Sequence, residues 1–492
     1  MPQWPTNRAF SLSSRQLTTA YAHASQLPTN NGYMISFKFT HQVIVRSFAQ
    51  AASITYFFAA AGLTHATLAA PAQTPAPSAN AAPATPATPA VPTPASAQSA
   101  PNVYGDEGRF FKNLVQLTTR DQFIRAGEAY FSPDANWIIF QAVETPKPAT
   151  ADQPAVDPDP FYAMYVAKFA RDDNGAITGI TDITRISPNG SANTCGWFDP
   201  KNPARVIYGS TLARPADQGQ SGFQVGTRRY IWMFPKEMEI VEQFLFDLPK
   251  IATASRTARL SPIANRPVSP VFQLPLYTAE CSISSDGRFL LYANVRTPKE
   301  GPNALNPKPD ADIFVFDQVT KEHTPLISAD GYDGGPFFSP DDAWLCYRSD
   351  RKGNDLLQIF IAELIRTKLG DGALSPSGIK AEYQLTNNEH VNWAPYWHPS
   401  QDFLVYASSE AGHTNYEIFA IPTPLAKIRM GMDTTMLTPI RVTSAPGADV
   451  LPVFSPNGSM LMWTSQRGPK LEKEPKPSSQ LWIAEWIPGS VK

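Results

Sequence analysis

The sequence is poor in the residues on which catalytic and metal chemistry often depend. It contains three cysteines and seven histidines, with no CxxC pair and no GxSxG phrase. A thiolate metal site, a disulfide framework and a hydrolase nucleophile elbow therefore have no support. Cys195 and Cys281 fall at similar places in neighbouring repeats, so a disulfide between them in an oxidising compartment stays open, with buried thiols as the alternative.

An excess of charge of one sign is also missing. The formal net charge is −2 at pH 7, and no segment is rich in lysine and arginine. The chain therefore lacks the basic surface that binds nucleic acid or an anionic membrane. We expect neither of them as a partner.

No apolar run reaches the roughly 20 residues that a membrane-spanning helix needs. The best candidate lies in 34–70, where Lys38 and Arg46 precede an apolar stretch at 47–61 and small residues follow. This pattern is typical of a secretory signal peptide, and an uncleaved membrane anchor is the alternative. We expect cleavage within 34–70, no stable membrane span afterwards, and a periplasmic or other extracytoplasmic location. Residues 1–33 fit neither pattern and are expected to be a non-native or unstructured start.

Proline, by contrast, is abundant. The chain has 48 prolines, about twice the ordinary share of about 5%. Many of them lie in 71–112, which is almost wholly Ala, Pro, Thr and Ser as far as Pro101. Such a segment cannot bury a core, and its prolines favour an extended chain. We predict a flexible linker over 71–112 and a folded domain over 113–487.

One short phrase recurs along that domain. An apolar or aromatic pair followed by Ser-Pro or a close relative occurs at 130–133, 197–200, 337–340, 396–399 and 453–456, and Ile283-Ser284-Ser285 is a sixth copy. Each copy is followed by turn residues and an alternating strand, which predicts a hairpin. A third strand is predicted after a variable loop, at 164–166, 231–233, 313–315, 359–361, 418–420 and 481–483. A fourth is visible in most repeats.

Six repeats of four short antiparallel strands predict an all-β fold, a six-bladed β-propeller of four-stranded antiparallel blades. The expected blades are 126–188, 193–262, 276–328, 333–387, 392–444 and 449–486. The last repeat lacks a fourth strand, whereas Gln116-Leu117-Thr118 resembles Gln384-Leu385-Thr386. We therefore predict that an N-terminal strand at 113–119 completes the last blade and closes the ring, which removes an open sheet edge.

The phrases at 338–342, 347–354 and 358–360 resemble the WD-like repeats of the TolB family of propellers, and the resemblance covers all six blades. It implies a periplasmic propeller and, for TolB itself, noncatalytic binding to a peptidoglycan-associated lipoprotein in a cell-envelope complex. TolB carries an α/β domain where this chain has its linker. The glycine of the TolB turn is also replaced, by Ala135 and Asp342. The specific partner therefore does not follow from the resemblance.

The loop that enters the inner strand of a blade lies on the same face as the loop between its second and third strands, because each strand reverses direction. We call this the long-loop face, since four second-to-third loops are long: 144–160, 212–228, 296–310 and 467–478. The segment 262–275, which enters the third blade, is expected to add to it. Long loops in compact domains commonly bind partners or move.

Six polar or acidic side chains are predicted to rim the central channel on the long-loop face. Four stand seven positions before the repeat proline and two a little later: Asn193, Asp333, Asn392 and Asp449, then Glu128 and Glu280. Such a rim could bind a peptide segment, a glycan or a divalent cation such as calcium. The alternative is that these oxygens accept hydrogen bonds from nearby turns.

The richest local chemistry lies at 389–398, with two histidines, an acid and three aromatic residues. Glu389, His390 and Asn392 are well placed there, whereas Trp397 is expected in the core. A carbohydrate-active or metal-dependent enzyme centred on Glu389 and His390 is therefore the alternative function. Some TolB-like propellers resemble uronide lyases with clustered histidines, but the histidines of this domain do not converge in their repeat positions: His323, His390, His398 and His413.

Together these patterns favour a noncatalytic exported propeller. It is expected to bind another cell-envelope protein or a peptide segment through the long-loop face. No resident cofactor is expected.

Overall fold

The computed structural model describes residues 105–146, 159–216, 222–224, 229–231, 234–245, 266–296 and 310–491. The predicted start at 1–33, the signal peptide at 34–70 and most of the linker lie outside these residues. Nearly all regular structure in the described part is β. The first strand, β1 (Phe111–Gln116), belongs to the last blade.

The first three blades follow one another along the chain. Blade 1 contains β2 (Phe123–Phe131), β3 (Trp137–Glu144), β4 (Ala163–Arg171) and β5 (Ile177–Arg185). Blade 2 contains β6 (Asn193–Phe198) and β7 (Arg205–Ser210); a separate hairpin of β8 (Gly222–Gln224) and β9 (Arg229–Ile231) precedes its outer strands, β10 (Glu239–Phe244) and β11 (Ser269–Pro270). Blade 3 contains β12 (Thr278–Ile283), β13 (Phe289–Arg296), β14 (Asp310–Asp317) and β15 (His323–Ile327).

The other three blades repeat this order. Blade 4 contains β16 (Asp333–Phe338), β17 (Trp344–Ser349), β18 (Gln358–Lys368) and β19 (Leu374–Gln384). Blade 5 contains β20 (Asn392–Trp397), β21 (Phe403–Ser408), β22 (Glu417–Pro422) and β23 (Ile440–Arg441), with helix α1 (Leu425–Arg429) and a 3-10 helix (Thr434–Met436) before the last strand. Blade 6 contains β24 (Asp449–Phe454), β25 (Met460–Ser465), β26 (Gln480–Trp486) and then β1.

The inner strands form a closed ring. Each inner strand contacts the next in the order β2, β6, β12, β16, β20 and β24, and β24 contacts β2. The predicted six-bladed propeller of four-stranded antiparallel blades is therefore confirmed. Among the described residues, no helix has the length and apolar character needed to cross a membrane.

Hydrophobic side chains fill the spaces between neighbouring blades. Between blades 4 and 5, Trp344 and Ile361 of one blade pack with Tyr406 of the other, and all three are almost completely buried. Full burial of a large apolar side chain stabilises the fold by about 1.5–3 kcal/mol. Trp397 belongs to the same cluster, as expected from its place in the repeat.

The recurring Ser-Pro-Asp phrase forms the tight turn between the first two strands of a blade. In blade 4 the Ser339 hydroxyl accepts a hydrogen bond from Trp344 N (2.9 Å) and donates to Asp341 Oδ1 (2.6 Å). Blades 1, 3 and 6 repeat this arrangement from their own Ser and Asp or Asn. The turn also needs a left-handed residue, which Ala135 and Asp342 supply with φ of 53° each. The Ser-Pro-Asp motif therefore stabilises the hairpin turn and does not supply a binding group.

Blade 2 departs from the prediction. Its third strand was predicted at 231–233, of which 232 and 233 lie outside the described residues; β9, which ends at Ile231, pairs with β8 in a hairpin within the second-to-third connection. The third strand is β10, whose buried Ile240 and Val241 pair with Gly209 and Tyr208. The fourth strand lies at 269–270, beyond the predicted end of the blade at 262, so part of 262–275 belongs to blade 2. The predicted segment has the apolar-aromatic signature of a third strand, but tertiary pairing selects the later one.

The predicted closure is present, although it begins earlier than expected. Strand β1 pairs antiparallel with β26, and a 3-10 helix precedes it (Gly105–Arg109). The segment 105–112, predicted as linker, therefore belongs to the propeller. Glu107 explains its order, since both of its carboxylate oxygens bond to Arg467 (3.0 and 3.2 Å) and Ser444 N donates to it at 2.7 Å.

Arg467 also bonds to Asp449 at 2.7 Å. The side chains of Arg467, Glu107 and Asp449 are each only 1% exposed, so one buried cation joins the N-terminal segment to blade 6.

We expect Arg467→Met to lower the free energy of unfolding by about 3–5 kcal/mol, because two buried carboxylates would lose their cation. The matched control is Lys112→Met, which removes the exposed pair with Glu485 (3.5 Å) between the same two segments. That change should cost less than about 1 kcal/mol. Urea unfolding of both variants measures the difference, and equal losses would contradict the proposed role of Arg467.

Candidate functional site

Every inner strand contains one extra residue near its start. Its pairing with the second strand shifts at the same point in all six blades, and the residue there has a positive φ. A β-bulge of this kind leaves the extra residue unpaired and re-aims its side chain. The six bulge residues line one cavity in the central channel: Glu128, Cys195, Glu280, Gly335, Ala394 and Leu451.

Aromatic side chains close the channel two residues further along the strands. Tyr130 of blade 1 and Phe337 of blade 4 come from opposite sides of the ring, yet their ring centroids are 5.8 Å apart. Trp197 lies 5.1 Å from Tyr130, and Tyr396 lies 5.4 Å from Phe337. We call these four residues the aromatic plug. Because strands begin at the long-loop face, the bulge residues lie on the long-loop side of the plug.

The cavity beside the plug is narrow, with a volume of about 20 Å³, which is room for about one water molecule. Blades 1 to 4 supply its polar groups, which are Glu128, Cys195, Glu280 and Arg348. Blades 5 and 6 supply mainly apolar atoms, including those of Ala394, Pro395, Leu451 and Pro452. The cavity therefore has one charged side and one apolar side.

Glu280 is the centre of a dense hydrogen-bond network. The Tyr332 hydroxyl lies 2.6 Å from both of its carboxylate oxygens, and Gly335 N donates to Oε2 at 2.6 Å. Arg348 Nη2 donates to the same oxygen at 3.0 Å and to the Tyr332 hydroxyl at 2.8 Å. The Tyr277 hydroxyl approaches Oε1 at 3.3 Å. The burial of both Glu280 and Arg348 is tolerated because their opposite charges compensate each other.

Two glycines allow this convergence. A Cβ on Gly334 would lie 2.3 Å from the Tyr332 hydroxyl, and one on Gly335 would lie 2.1 Å from Arg348 Nη1. Gly335 also has a φ of 59°, which favours glycine. The Gly-Gly pair at the start of blade 4 is therefore required for the network around Glu280.

Glu128 forms a second network in the wall of the same cavity. Its carboxylate accepts from the Cys195 thiol (2.9 Å), the Thr194 hydroxyl (3.2 Å) and the Tyr130 hydroxyl (3.2 Å). Burial raises the pKa of Glu128 above its usual value, while the hydrogen bond from Cys195 opposes that shift. Burial, with the charge of Glu128, also raises the pKa of the Cys195 thiol. Since the thiolate is the nucleophilic form, this environment does not activate Cys195.

The open disulfide hypothesis is resolved by the structure. Cys195, Cys281 and Cys346 are all free thiols. The Cys281 thiol lies 3.5 Å from the backbone oxygen of Cys195, not against its sulfur. The buried alternative therefore applies to Cys281 and Cys346, whereas Cys195 is half-buried in the cavity wall.

The six predicted rim residues do not share one location. Glu128 and Glu280 meet at the cavity because each occupies a bulge. The other four begin their inner strands two positions earlier and are buried within the blades: Asn193, Asp333, Asn392 and Asp449. The prediction missed that the bulge, rather than the strand start, faces the channel.

These four residues all form hydrogen bonds to other protein groups. Asn193 Nδ2 donates to Tyr162 O at 2.9 Å, and Asp333 accepts from Ala329 N at 2.9 Å. Burial raises the pKa of Asp333 to about 6. Asn392 donates to Gln358 Oε1 at 3.1 Å. These bonds fix the turns that enter each blade, and ligand binding by the predicted rim stays a prediction.

Glu389 and His390 lie in the loop that enters blade 5. Glu389 is exposed and His390 is half-buried, and the backbone oxygen of His390 accepts hydrogen bonds from Gln358 and Asn392. Across the described ranges, no group of three or more His, Cys, Asp or Glu side chains is arranged to hold a metal ion. His398 packs between Phe403 and Phe454, away from His390.

Sequence reasoning missed Cys195, Tyr332 and Arg348. The repeat register contained a signal for Cys195, which stands two positions after Asn193. Glu128 stands in the same way two positions after Ala126, and Glu280 two positions after Thr278. Arg348 comes from a second strand and carries no such signal.

Apolar side chains of blades 2, 4, 5 and 6 lie on the long-loop face, in its loops and at the starts of inner strands. Five of them are only partly buried and pack on a buried aromatic cluster that includes Tyr277 and Tyr332: Phe234, Leu356, Trp393, Ala448 and Val450. We call these five residues the mouth patch. Phe234 comes from the second-to-third connection of blade 2, with its ring 4.9 Å from Tyr277 and 5.6 Å from Tyr332. The mouth is therefore more apolar than the predicted polar rim.

No protein-family model and no curated protein matches this sequence. Its fold is similar to that of a protein assigned as TolB from Agrobacterium tumefaciens, at 14% identity over 76% of this chain and 93% of that chain, with a TM-score of 0.41. TolB from Acinetobacter baumannii is 14% identical over 74% of this chain and 64% of that chain, with a TM-score of 0.37. An oligogalacturonate lyase from Vibrio parahaemolyticus is 12% identical over 77% of this chain and 94% of that chain, with a TM-score of 0.38. The TolB structures agree with the TolB-like resemblance of the blades, but likenesses at this level describe the fold and decide nothing about function.

We expect Gly335→Ala to lower the free energy of unfolding by about 3 kcal/mol or more, because a Cβ there would displace Arg348 from its buried pair with Glu280. Gly353→Ala is the matched control, since Gly353 has a similar φ of 68° but nothing within 4 Å of a Cβ. The control should show only the backbone cost of about 1–2 kcal/mol. Denaturant unfolding measures both, and equal losses would show that the contact with Arg348 is unimportant.

The Glu128 carboxyl should also give the protein a measurable pH dependence. Because its pKa is raised from 4.5 in the folded state, the folded protein holds this proton more tightly than the unfolded chain. The stabilisation is complete below pH 4.5 and is lost as the pH rises through the raised pKa. We therefore expect Glu128→Gln to flatten the fall in unfolding free energy above that pH. Parallel curves for wild type and variant would contradict the shift.

Proposed function

We propose that this chain is an exported, noncatalytic binding propeller that engages another protein of the cell envelope through its long-loop face. The signal-like segment at 34–70 supports export. The Ala/Pro-rich linker supports display of the propeller on a flexible spacer. The TolB-like fold agrees with a protein partner. The observation that carries the proposal is the mouth patch.

The mouth patch has the composition of a protein interface. Interface cores are rich in aromatic residues and poor in charge, and large aromatic side chains commonly dominate the binding energy. Trp393 and Phe234 are the largest members and remain partly accessible, although both rest on buried neighbours. A side chain supported in this way loses little conformational freedom when a partner covers it.

Charged residues also lie on the long-loop face, in the loop between the second and third strands of blade 6. The blade 6 loop at 467–478 carries both lysines and glutamates. Leu471 among them is 44% exposed. Arg120 bonds to Glu474 in this loop at 2.7 Å, so the loop is anchored to the N-terminal segment. Mixed charges at a rim favour one orientation of a partner more than they add affinity.

The cavity beneath the mouth patch favours a binding function over a catalytic one. The aromatic plug ends the channel, and Glu280 already accepts four hydrogen bonds from protein groups. A substrate would have to displace these donors to reach the carboxylate. The network therefore acts as a rigid floor under the mouth patch.

The test is site-specific photo-crosslinking in cells that export the full chain. A benzophenone amino acid at Trp393 should give a discrete adduct with an envelope protein, because the partner covers the mouth patch. The matched control is the same amino acid at Val319, which is 66% exposed and lies in a third-to-fourth turn on the opposite face.

Leu356→Asp should reduce the Trp393 adduct at least about tenfold, since a charge in an apolar interface core costs more than about 1.4 kcal/mol. Circular dichroism should show an unchanged fold. Adducts of equal yield from both faces, or an adduct insensitive to Leu356→Asp, would refute binding through the mouth patch.

A further inference from the structure

Blade 5 contains an added element between its third and fourth strands. The corresponding connections are short turns in blades 1, 3 and 4, at 172–176, 318–322 and 369–373. In blade 5 the connection spans 423–439 and contains α1 and the 3-10 helix. Strand alternation places it on the face opposite the long-loop face.

The apolar residues of this insertion are sorted by their chemistry. Its branched aliphatic residues point inward, where Ile428 is fully buried and Leu425 and Leu437 pack on the cluster between blades 4 and 5. Its methionines do not join that cluster. Met430 is 87% exposed and Met436 is 72% exposed, and Met432 between them is half-buried. Three of the ten methionines of the chain therefore lie within seven residues at the surface.

The backbone that carries these methionines is ordered by hydrogen bonds. Gly431, with a φ of 91°, reverses the chain after α1, and Met432 N donates to Lys427 O at 3.0 Å. Asp433 caps the 3-10 helix by accepting from Thr435 N at 2.9 Å, and Met436 N donates to Asp433 O at 3.2 Å. Hydrogen bonds therefore order the backbone that carries the three methionines within a span of seven residues.

The insertion is also fixed to the neighbouring blade. Arg429 Nε bonds to Glu363 Oε1 at 3.1 Å, and Thr434 Oγ1 donates to Gln384 O at 2.8 Å. Both partners lie on the outer strands of blade 4. The methionines are thus presented from a supported scaffold.

We propose that Met430, Met432 and Met436 form a surface site for a soft monovalent cation, Cu(I) or Ag(I). Thioether sulfur is a soft ligand that selects Cu(I) over the hard cations Ca²⁺ and Mg²⁺. A thioether has no proton to lose and forms no disulfide, so three methionines serve as ligands in an oxidising compartment where cysteines would pair.

The surroundings suit a cation of low charge. Asp433 stands between Met432 and Met436 in the sequence and accepts a hydrogen bond from Thr435 N at 2.9 Å. The positive charge of Arg429 is directed to Glu363. The proposal is independent of partner binding at the mouth patch, because it concerns the other face and different residues.

The test is methyl NMR of the full chain labelled with ¹³C-methyl methionine and titrated with Ag(I). Single Met→Leu variants assign the three signals. We expect the methyl resonances of Met430, Met432 and Met436 to shift together and to saturate at the same silver concentration. The signals of buried Met164 and Met462 should stay in place. Cysteine binding of silver does not obscure this result, since each methionine reports its own sulfur.

A competition titration with a chromophoric Cu(I) chelator gives the affinity. The triple Met→Leu variant keeps the size and apolar character of the loop but removes its sulfur, so it should bind Cu(I) at least about tenfold more weakly, a loss of about 1.4 kcal/mol. Met460→Leu, at a half-buried methionine of β25, is the matched control and should bind like wild type. Unchanged affinity of the triple variant, or silver shifts spread over all methionines, would overturn the site. Those results would leave the exposed methionines as an apolar docking surface.

Discussion

The propeller depends on the closure of its ring. The six blades are separate sheets, and β1 ties the N-terminal segment to the last of them by pairing with β26. The buried Arg467 reinforces this joint, because it neutralises Glu107 of the N-terminal segment and Asp449 of blade 6 together. A guanidinium suits this task, since its planar group donates several hydrogen bonds in fixed directions. Without the closing strand, blade 6 would expose an unpaired edge and the inter-blade cores on its two sides would lose support.

A second constraint acts inside the ring. The bulge in each inner strand brings one side chain per blade to the channel, and the nature of these six residues decides the chemistry of the cavity. Two of them are glutamates, which acquire different environments. Glu280 is paired with Arg348 and tyrosine hydroxyls, whereas Glu128 accepts from a thiol and hydroxyls and has a raised pKa. The aromatic plug lies below both glutamates.

The two faces of the propeller therefore carry different kinds of surface. The long-loop face presents the mouth patch, which is apolar and rests on the buried cluster that includes Tyr277 and Tyr332. A loop of mixed charge lies on the same face. The opposite face carries the hairpin turns and, in blade 5, the insertion with exposed thioethers. The blades between them are rigid, so the proposed protein partner and the proposed cation could be bound at the same time without contact.

The fold could be predicted from the sequence, because the Ser-Pro-Asp turn, or a close relative of it, and the alternating strands are local signals that recur along the chain. The sequence also determined the place of Glu128 and Glu280 near the channel and the role of Trp397 in the core. Blade 2 shows the limit of local signals: 231–233 has the pattern of a third strand, but pairing with β7 selects 239–244. Likewise, Asn193, Asp333, Asn392 and Asp449 share a repeat position, but only the three-dimensional register shows that this position is buried and the bulge is not. Arg348, Tyr332 and Arg467 reach their partners from other strands or blades, so only tertiary packing decided the two charge networks. A periodic sequence specifies what each blade repeats, whereas the contacts that differ between blades depend on residues far apart in the chain.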